Sequence, residues 1–199
     1  DDGVYLNSLQ QVANEFISND KSREGIVSQK IAIIGANGYV GAHLHQQLLD
    51  AHNITGYDRV EINPRNLTQP VMIKHSSSIP DDELRGHDVV IYLGGFTGRS
   101  DCLSHTPAEV FGENILNPFY IARKMKPSQL FIFASTSAVS EGSGSRDHRE
   151  DSAIGLTNLD EYSLSMYERE VALSQLSASH DCLSVHSAPR MVGLRFGSV

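Results

Sequence analysis

The chain has 199 residues, of which 40% are hydrophobic, and this length allows one substantial core with at most a small appendage. Its formal net charge of −8 disfavours a surface that neutralises nucleic-acid phosphates or lies on anionic lipid. No apolar run approaches the roughly 20 residues that span a bilayer, and the amino end lacks the basic and apolar blocks of a signal peptide, so we expect neither a nucleic-acid nor a membrane partner.

Residues 1–29 form a segment of their own, with apolar residues at helical spacing from Leu6 to Ile17. This spacing predicts a helical appendage. Its apolar face needs a partner, and the alternatives are docking on the main domain or self-association into a homo-oligomer.

From Ile31 onward, short apolar stretches rich in Ile and Val alternate with helical patterns. The predicted strands are KIAIIG, ITGYD, VMIKH, DVVIYLGG, LFIFAS and MVGLRFG. The predicted helices contain Val40 to Leu48, the turn PDDELRG, Thr106 to Met125, which Asn117-Pro118 should bend or restart, and Tyr162 to Ala178. This alternation predicts an α/β fold, a doubly wound parallel sheet of the Rossmann type, over residues 30–199.

The stretch IAIIGANGYVGAHL places Gly35, Gly38 and Gly41 between a buried strand and an amphipathic helix. Such a turn lets backbone amides approach a pyrophosphate at the positive amino end of the helix, and the last glycine permits close helix packing. The strand before the turn and the helix after it are the context that this motif requires. The alternative is a tight turn without a ligand.

Asp58 stands at the end of the next predicted strand, where a carboxylate can accept hydrogen bonds from the adenosine ribose hydroxyls. The same carboxylate would repel a 2′-phosphate, so NAD is favoured over NADP. Arg59 keeps NADP open as an alternative, and a simple turn aspartate is another. The fourth strand ends in Gly94 and Gly95, which would let the cofactor lie close to the chain, unless they form only a glycine-rich loop.

Six segments together resemble the extended short-chain dehydrogenase/reductase family, in its NAD-dependent epimerase/dehydratase group: GANGYVG, GYD, VVIYLGG, GENILNPF, FIFASTSAV and EYSLSM. The resemblance covers about residues 30–199 and implies hydride-transfer chemistry on a small molecule, mostly a nucleotide sugar. Together with the reasoning from the residues above, it gives the predicted NAD-binding positions: Gly35, Asn37, Gly38, Tyr39, Val40, Gly41, Asp58, Arg59, Leu93, Gly94, Gly95, Asn114 and Tyr162.

The resemblance also implies the catalytic residues. Tyr162 matches the family's catalytic tyrosine, which exchanges a proton with a substrate hydroxyl. Thr136 falls where the family places a hydroxyl that binds the reacting oxygen, and Ser135 and Ser137 are alternatives at an offset of one residue. The alternatives are that Thr136 only caps the end of its strand and that Tyr162 is a helix aromatic without a chemical role.

The family motif is Tyr-x-x-x-Lys, and here Met166 stands four residues after Tyr162. The resemblance implies that this lysine lowers the tyrosine pKa and binds the nicotinamide ribose. Without it, a phenol of pKa near 10 is only about one part in a thousand ionised at neutral pH. No lysine follows Lys126, and Arg169 lies two helical turns away, about 10 Å along the axis, so we do not expect it to substitute.

Two further departures concern the substrate. Ser137 and Ala138 stand where sugar-nucleotide 4,6-dehydratases of the family carry an acidic pair, which disfavours that elimination. The last strand comes where the family continues into a substrate-binding region, so we expect that region to be truncated or missing.

Metal and disulfide chemistry find no support in the sequence. His43 and His45 face different directions on a helix, and Cys102 and Cys182 are too few for a disulfide framework or a zinc site. We therefore expect no metal and a reducing compartment, the cytoplasm or an organelle interior.

Two classes of function remain open. One is an NAD-dependent sugar epimerase, dehydratase or reductase with an atypical active site. The other is a catalytically impaired NAD(P)-binding subunit, acting as a scaffold or redox-sensing module.

Overall fold

The computed structural model describes residues 28–61, 71–143, 156, 159–178 and 188–196. The predicted amino-terminal helix and Cys182 lie outside the described residues. Within the described ranges, no helix is both long and apolar enough to cross a membrane.

Six strands form one parallel sheet in the order β3-β2-β1-β4-β5-β6. The strands are β1 Lys30–Ile34, β2 Asn53–Asp58, β3 Met72–Ile73, β4 Val89–Tyr92, β5 Leu130–Thr136 and β6 Arg190–Phe196. Ile31 pairs with Ile54 on one side and with Val89 on the other, so the chain winds outward in both directions from β1. The predicted doubly wound parallel sheet is confirmed, and its crevice opens at the carboxyl ends of β1 and β4.

Helices and single turns connect the strands. They are α1 Tyr39–Leu48, a 3-10 turn Ser76–Ser78, α2 Asp81–Arg85, α3 Arg99–Leu103, α4 Pro107–Phe111, a π turn Gly112–Leu116, α5 Asn117–Lys124, a 3-10 segment Ser137–Ser143 and α6 Glu161–Ala178. The helix α3 was not predicted, and the strand predicted from VMIKH shortens to two exposed residues at the sheet edge.

The long segment predicted from Thr106 to Met125 is helical throughout but changes pitch. A capping box between Thr106 and Glu109 starts α4, and the π turn comes immediately before Asn117 and Pro118. Pro118 has no N–H to donate to the carbonyl of Asn114, and its ring crowds that carbonyl, which explains the wider turn. The predicted bend at this pair is therefore a π turn.

The sheet is covered on both faces, as its unalternating strands predict. On one face, Ala32, Val90 and Phe131 pack with α2, α5 and α6. On the other face, Ile31 and Ile33 pack against Leu44 and Leu48 of α1. Because both faces are buried, the carboxyl edge of the sheet is the surface on which a site can form.

Candidate functional site

The glycine turn joins β1 to α1 and is held by its backbone. The Gly35 N–H donates to the Tyr57 carbonyl at 2.8 Å, and Gly35 has a φ of 88°, a conformation that favours glycine. A Cβ on Gly41 would overlap the Gly35 carbonyl oxygen and lie 2.9 Å from the Cα of Ala36. The helix α1 therefore packs against the turn more closely than a residue with a side chain would allow.

A cleft of about 490 Å³ opens beside this turn. It is lined by eleven of the predicted cofactor-binding residues: Gly35, Asn37, Gly38, Tyr39, Val40, Gly41, Asp58, Arg59, Leu93, Gly94 and Gly95. No side chain caps the amino end of α1, and no acidic residue stands in its first turn. The buried Asn37 Oδ1 atom has no hydrogen-bond partner. An uncapped helix amino end in a glycine-lined cleft suits the pyrophosphate of a dinucleotide.

Asp58 lies at the mouth of this cleft, at the end of β2. Its two carboxylate oxygens accept from the N–H groups of Asn37 at 2.9 Å and Val60 at 3.0 Å. The aspartate therefore braces the turn and still offers lone pairs to a ribose. Arg59 also lines the cleft, and its guanidinium lies 5.2 Å from the centre of the Phe96 ring.

Gly95 marks the point where the loop after β4 meets two buried side chains. Its φ is 121°, and a Cβ there would lie 2.5 Å from Asn114 Oδ1 and 2.8 Å from Arg169 Nη2. The glycine that was predicted to make room for a cofactor thus also makes room for Asn114 and Arg169.

Asn114 is fully buried in the π turn and does not line the cleft. Its Oδ1 accepts from the Phe96 N–H at 2.7 Å, and its Nδ2 donates to Ser165 Oγ at 2.9 Å. Asn114 ties the π turn to the β4 loop and to α6.

Tyr162, in the first turn of α6, contacts the end of β5. Its phenol lies close enough to the Thr136 side chain for that side chain to lower its pKa, and its ring packs against the buried cluster of Phe96, Cys102 and Val110. The structure thus brings together the two residues predicted to handle protons, from opposite ends of a long connection.

Burial raises the pKa of Tyr162 above its ordinary value of 10.0. The positive charge of Arg169 and the Thr136 side chain act in the opposite direction, while Cys102 and Asp160 raise the pKa further. Burial dominates, so the phenol is protonated at neutral pH.

Ser135 has a different partner. Its Oγ donates to Glu170 Oε1 at 2.5 Å, and Glu170 is paired with Arg195 at 2.7 Å. This network links β5, β6 and α6. Of the three hydroxyls considered from the sequence, Ser135, Thr136 and Ser137, Thr136 is the one that acts on the pKa of Tyr162.

Met166 is 4% exposed and brings no charge to the site, but Arg169 does. The Arg169 side chain is completely buried, and its charge acts on Tyr162. The axial separation of Tyr162 and Arg169 was a poor guide to the distance between their side chains, because side chains in a helix lean toward the amino end. The sequence signal was a charge on the buried face of α6, seven residues after Tyr162.

Three cleft residues at the end of β3 were also missed: Lys74, His75 and Ser76. Lys74 pairs with Glu83 at 2.6 Å and His75 with Glu113 at 2.9 Å. Lys74 and His75 end the third predicted strand and Ser76 follows it, so the rule that ligands bind at the carboxyl edge could have identified them.

A doubly wound sheet with a glycine turn at the first helix and a cleft at its carboxyl edge defines a dinucleotide-binding protein. The chain belongs to the NAD dependent epimerase/dehydratase family, which it matches over residues 31–196. The predicted family is confirmed, and the predicted cofactor, NAD, is the one on which the family depends.

Solved structures with this fold include the complex of MoeE5 with UDP-glucuronic acid and NAD, which is 21% identical with a TM-score of 0.66 over 84% of this chain and 54% of that chain. The NAD-dependent NDP-hexosamine 5,6-dehydratase TunA, involved in tunicamycin biosynthesis, is 20% identical with a TM-score of 0.68 over 85% and 55%. The UDP-glucuronic acid 4-epimerase from Bacillus cereus, in complex with NAD, is 22% identical with a TM-score of 0.64 over 85% and 56%. The chain therefore spans about half the length of these proteins. A search of the curated proteins gave no match.

Proposed function

We propose that this protein binds NAD(H) in the cleft beside the glycine turn and carries out hydride-transfer chemistry on a nucleotide-sugar-like substrate. The reaction class is that of an epimerase, a reductase or an atypical dehydratase. The observation that carries the proposal is the cleft at the carboxyl edge of the sheet, lined by the glycine turn, Asp58 and the loop after β4, with Tyr162 and Thr136 brought together at the same sheet edge.

In this proposal, different residues of the cleft bind different parts of the cofactor. Backbone amides at Gly38 and in the first turn of α1 face the pyrophosphate, and Asp58 accepts from the adenosine ribose. The nicotinamide group, when bound, donates or accepts a hydride. Gly94 and Gly95 let the cofactor continue along the sheet edge toward Tyr162.

In the proposed reaction, Tyr162 acts as a proton donor. Because burial holds the pKa of Tyr162 above 10.0, its phenol is protonated at neutral pH and suits reduction of a sugar ketone. The proton passes from the Tyr162 phenol to the carbonyl oxygen as a hydride reaches the carbonyl carbon. Thr136 orients the phenol, and solvent returns the proton.

The substrate class rests on two considerations. UDP-glucuronic acid is the ligand of MoeE5, and a nucleotide sugar is also named for TunA, which supports the same chemical class here. The residues Ser137 and Ala138 carry no acid to assist elimination, which favours reduction or epimerisation over dehydration.

A second candidate is an NAD-binding subunit without turnover, and the buried Met166 in place of the family lysine favours it. An NADP-linked reductase was suggested by Arg59. Asp58, whose carboxylate in the cleft would repel a 2′-phosphate, favours NAD instead.

Three measurements on the full chain separate these candidates. Calorimetry with NADH and with NADPH tests the cofactor, and we expect tighter binding of NADH. With UDP-glucuronic acid and UDP-glucose as probes and NAD⁺ present, absorbance of the reduced coenzyme tests net oxidation, and chromatography of the sugar products tests epimerisation and dehydration, which leave the coenzyme unchanged overall. Absence of heat with both coenzymes would contradict the proposal at its base.

The role of Tyr162 is tested with a matched pair of substitutions. Tyr162→Phe should reduce turnover at least about 100-fold, the usual contribution of a positioned proton donor. Tyr120→Phe removes a hydroxyl from an exposed residue of α5 and should leave turnover unchanged. Coenzyme binding without turnover of either probe, in the wild type and in Met166→Lys alike, would favour the silent subunit.

A further inference from the structure

Arg169 is a buried cation held entirely by main-chain carbonyls. Its Nε donates to the Asn114 carbonyl at 2.5 Å, its Nη1 to the Ala134 carbonyl at 2.9 Å and its Nη2 to the Gly94 carbonyl at 3.2 Å. These carbonyls belong to the π turn, to β5 and to the loop after β4. One guanidinium therefore joins the three elements that converge on the predicted catalytic edge.

No carboxylate compensates this charge within the described part of the chain. The groups that interact electrostatically with Arg169 are the hydroxyls of Tyr92 and Tyr162, and its guanidinium lies 5.6 Å from the centre of the Tyr92 ring. A buried charge without a counter-ion is costly, so such a position normally has a function that requires the charge.

Two local features make room for Arg169. Pro118 cannot donate to the Asn114 carbonyl, which is thereby left available to Arg169 Nε. Gly95 has no Cβ, and a Cβ there would lie 2.8 Å from Arg169 Nη2. Both features lie in the chain segments that contact the guanidinium.

The charges that act on Tyr162 come from several elements. Asp160 precedes α6 and Cys102 lies on α3, and both oppose ionisation of the phenol. Thr136 on β5 and Arg169 on α6 favour it. Met166 is apolar, and among the described residues Arg169 is the cation that acts on this phenol.

We propose that Arg169 is the positioning cation of this site, stabilising the phenolate that Tyr162 becomes after giving up its proton, in place of the absent lysine. This inference rests on the proposed role of Tyr162 but not on which coenzyme or substrate binds. The guanidinium acts through Tyr162, and it binds the Gly94 and Asn114 carbonyls.

The test is a spectroscopic titration of the Tyr162 phenol in the full chain without coenzyme. The difference in phenolate absorbance between the wild type and Tyr162→Phe isolates this one tyrosine. Stopped-flow pH jumps allow the reading to be taken before alkaline unfolding. The same difference is then measured in the background of Arg169→Gln.

Removing the Arg169 charge should raise the titration midpoint of Tyr162 by about one pH unit or more, the usual effect of an opposite charge within a few ångströms. The control is Arg123→Gln, which removes the same charge from an exposed residue of α5 and should leave the midpoint unchanged. An unchanged midpoint in Arg169→Gln would overturn the proposal.

If Arg169→Gln does not fold, a charge swap decides. In the double variant Met166→Lys with Arg169→Met, one cation replaces another, and the midpoint should stay close to that of the wild type. If Arg169 has only a structural role, the swap adds a cation without removing one, and the midpoint should fall by about one unit or more. A failure of NADH to bind would contradict the proposed function and leave this titration unaffected.

Discussion

Substitution of Gly41 by alanine tests the packing of the glycine turn against α1. The added Cβ would meet three backbone atoms: the Gly35 carbonyl oxygen, which it would overlap, and the Gly35 carbonyl carbon and Ala36 Cα, each at 2.9 Å. Backbone atoms cannot rotate away as a side chain does, so α1 has to move off the turn. Overpacking of this kind costs about 1–3 kcal/mol, and we expect the upper end of that range.

The expected result is a lower free energy of unfolding together with a loss of NADH binding, because the amides of α1 no longer point at the pyrophosphate. Urea denaturation measures the first effect and calorimetry the second. Gly112→Ala is the matched control, since a Cβ there meets nothing within 4 Å, and helix propensity predicts an unchanged or slightly higher stability. A Gly41→Ala protein with wild-type stability and wild-type NADH affinity would refute this reasoning.

Three further predictions use the same assays. His45→Leu should raise the free energy of unfolding by about 1 kcal/mol, because both ring nitrogens of this buried histidine lack a hydrogen-bond partner. Burial lowers the pKa of His45 from 6.5, so as the pH falls below 6.5 this histidine takes up a proton in the unfolded protein before it does in the folded protein. The free energy of unfolding of the wild type should therefore fall more steeply with decreasing pH than that of the variant, and equal slopes of the two curves would contradict this. Glu170→Gln removes the carboxylate that binds Arg195 and Ser135 and should cost about 1.5–3 kcal/mol with little change in NADH affinity, whereas unchanged stability would count against the network. Asp58→Asn replaces one acceptor oxygen by a donor and should weaken NADH binding about tenfold or more. It should also reduce the ratio of NADH affinity to NADPH affinity, and an unchanged ratio would contradict the assigned role of Asp58.

The sequence was sufficient for the sheet and for one half of the site. Strands buried on both faces leave unbroken apolar runs, and such runs between amphipathic helices have few arrangements other than a doubly wound sheet. The glycine turn is local in sequence, so its spacing already determines how Gly35, Gly38 and Gly41 are placed. Asp58 follows directly from the strand that ends there.

The sequence could not decide which hydroxyl meets Tyr162, because Ser135 and Thr136 are neighbours on one strand and only the packing of α6 on β5 distinguishes them. Pro118 predicted a disturbance of its helix, but the use of the Asn114 carbonyl by a side chain on another helix is a long-range contact.

Arg169 shows most clearly the difference between what the sequence predicts and what only tertiary packing determines. Its position in the sequence gives an axial distance from Tyr162 and nothing more. The three carbonyls that fix its guanidinium lie on segments far apart in the chain, and they meet only because the sheet brings the ends of β4 and β5 together beneath α6. Local spacing therefore determined where the dinucleotide cleft lies, and tertiary packing determined which charge faces the tyrosine, because a side chain's electrostatic partners depend on where distant segments come to rest.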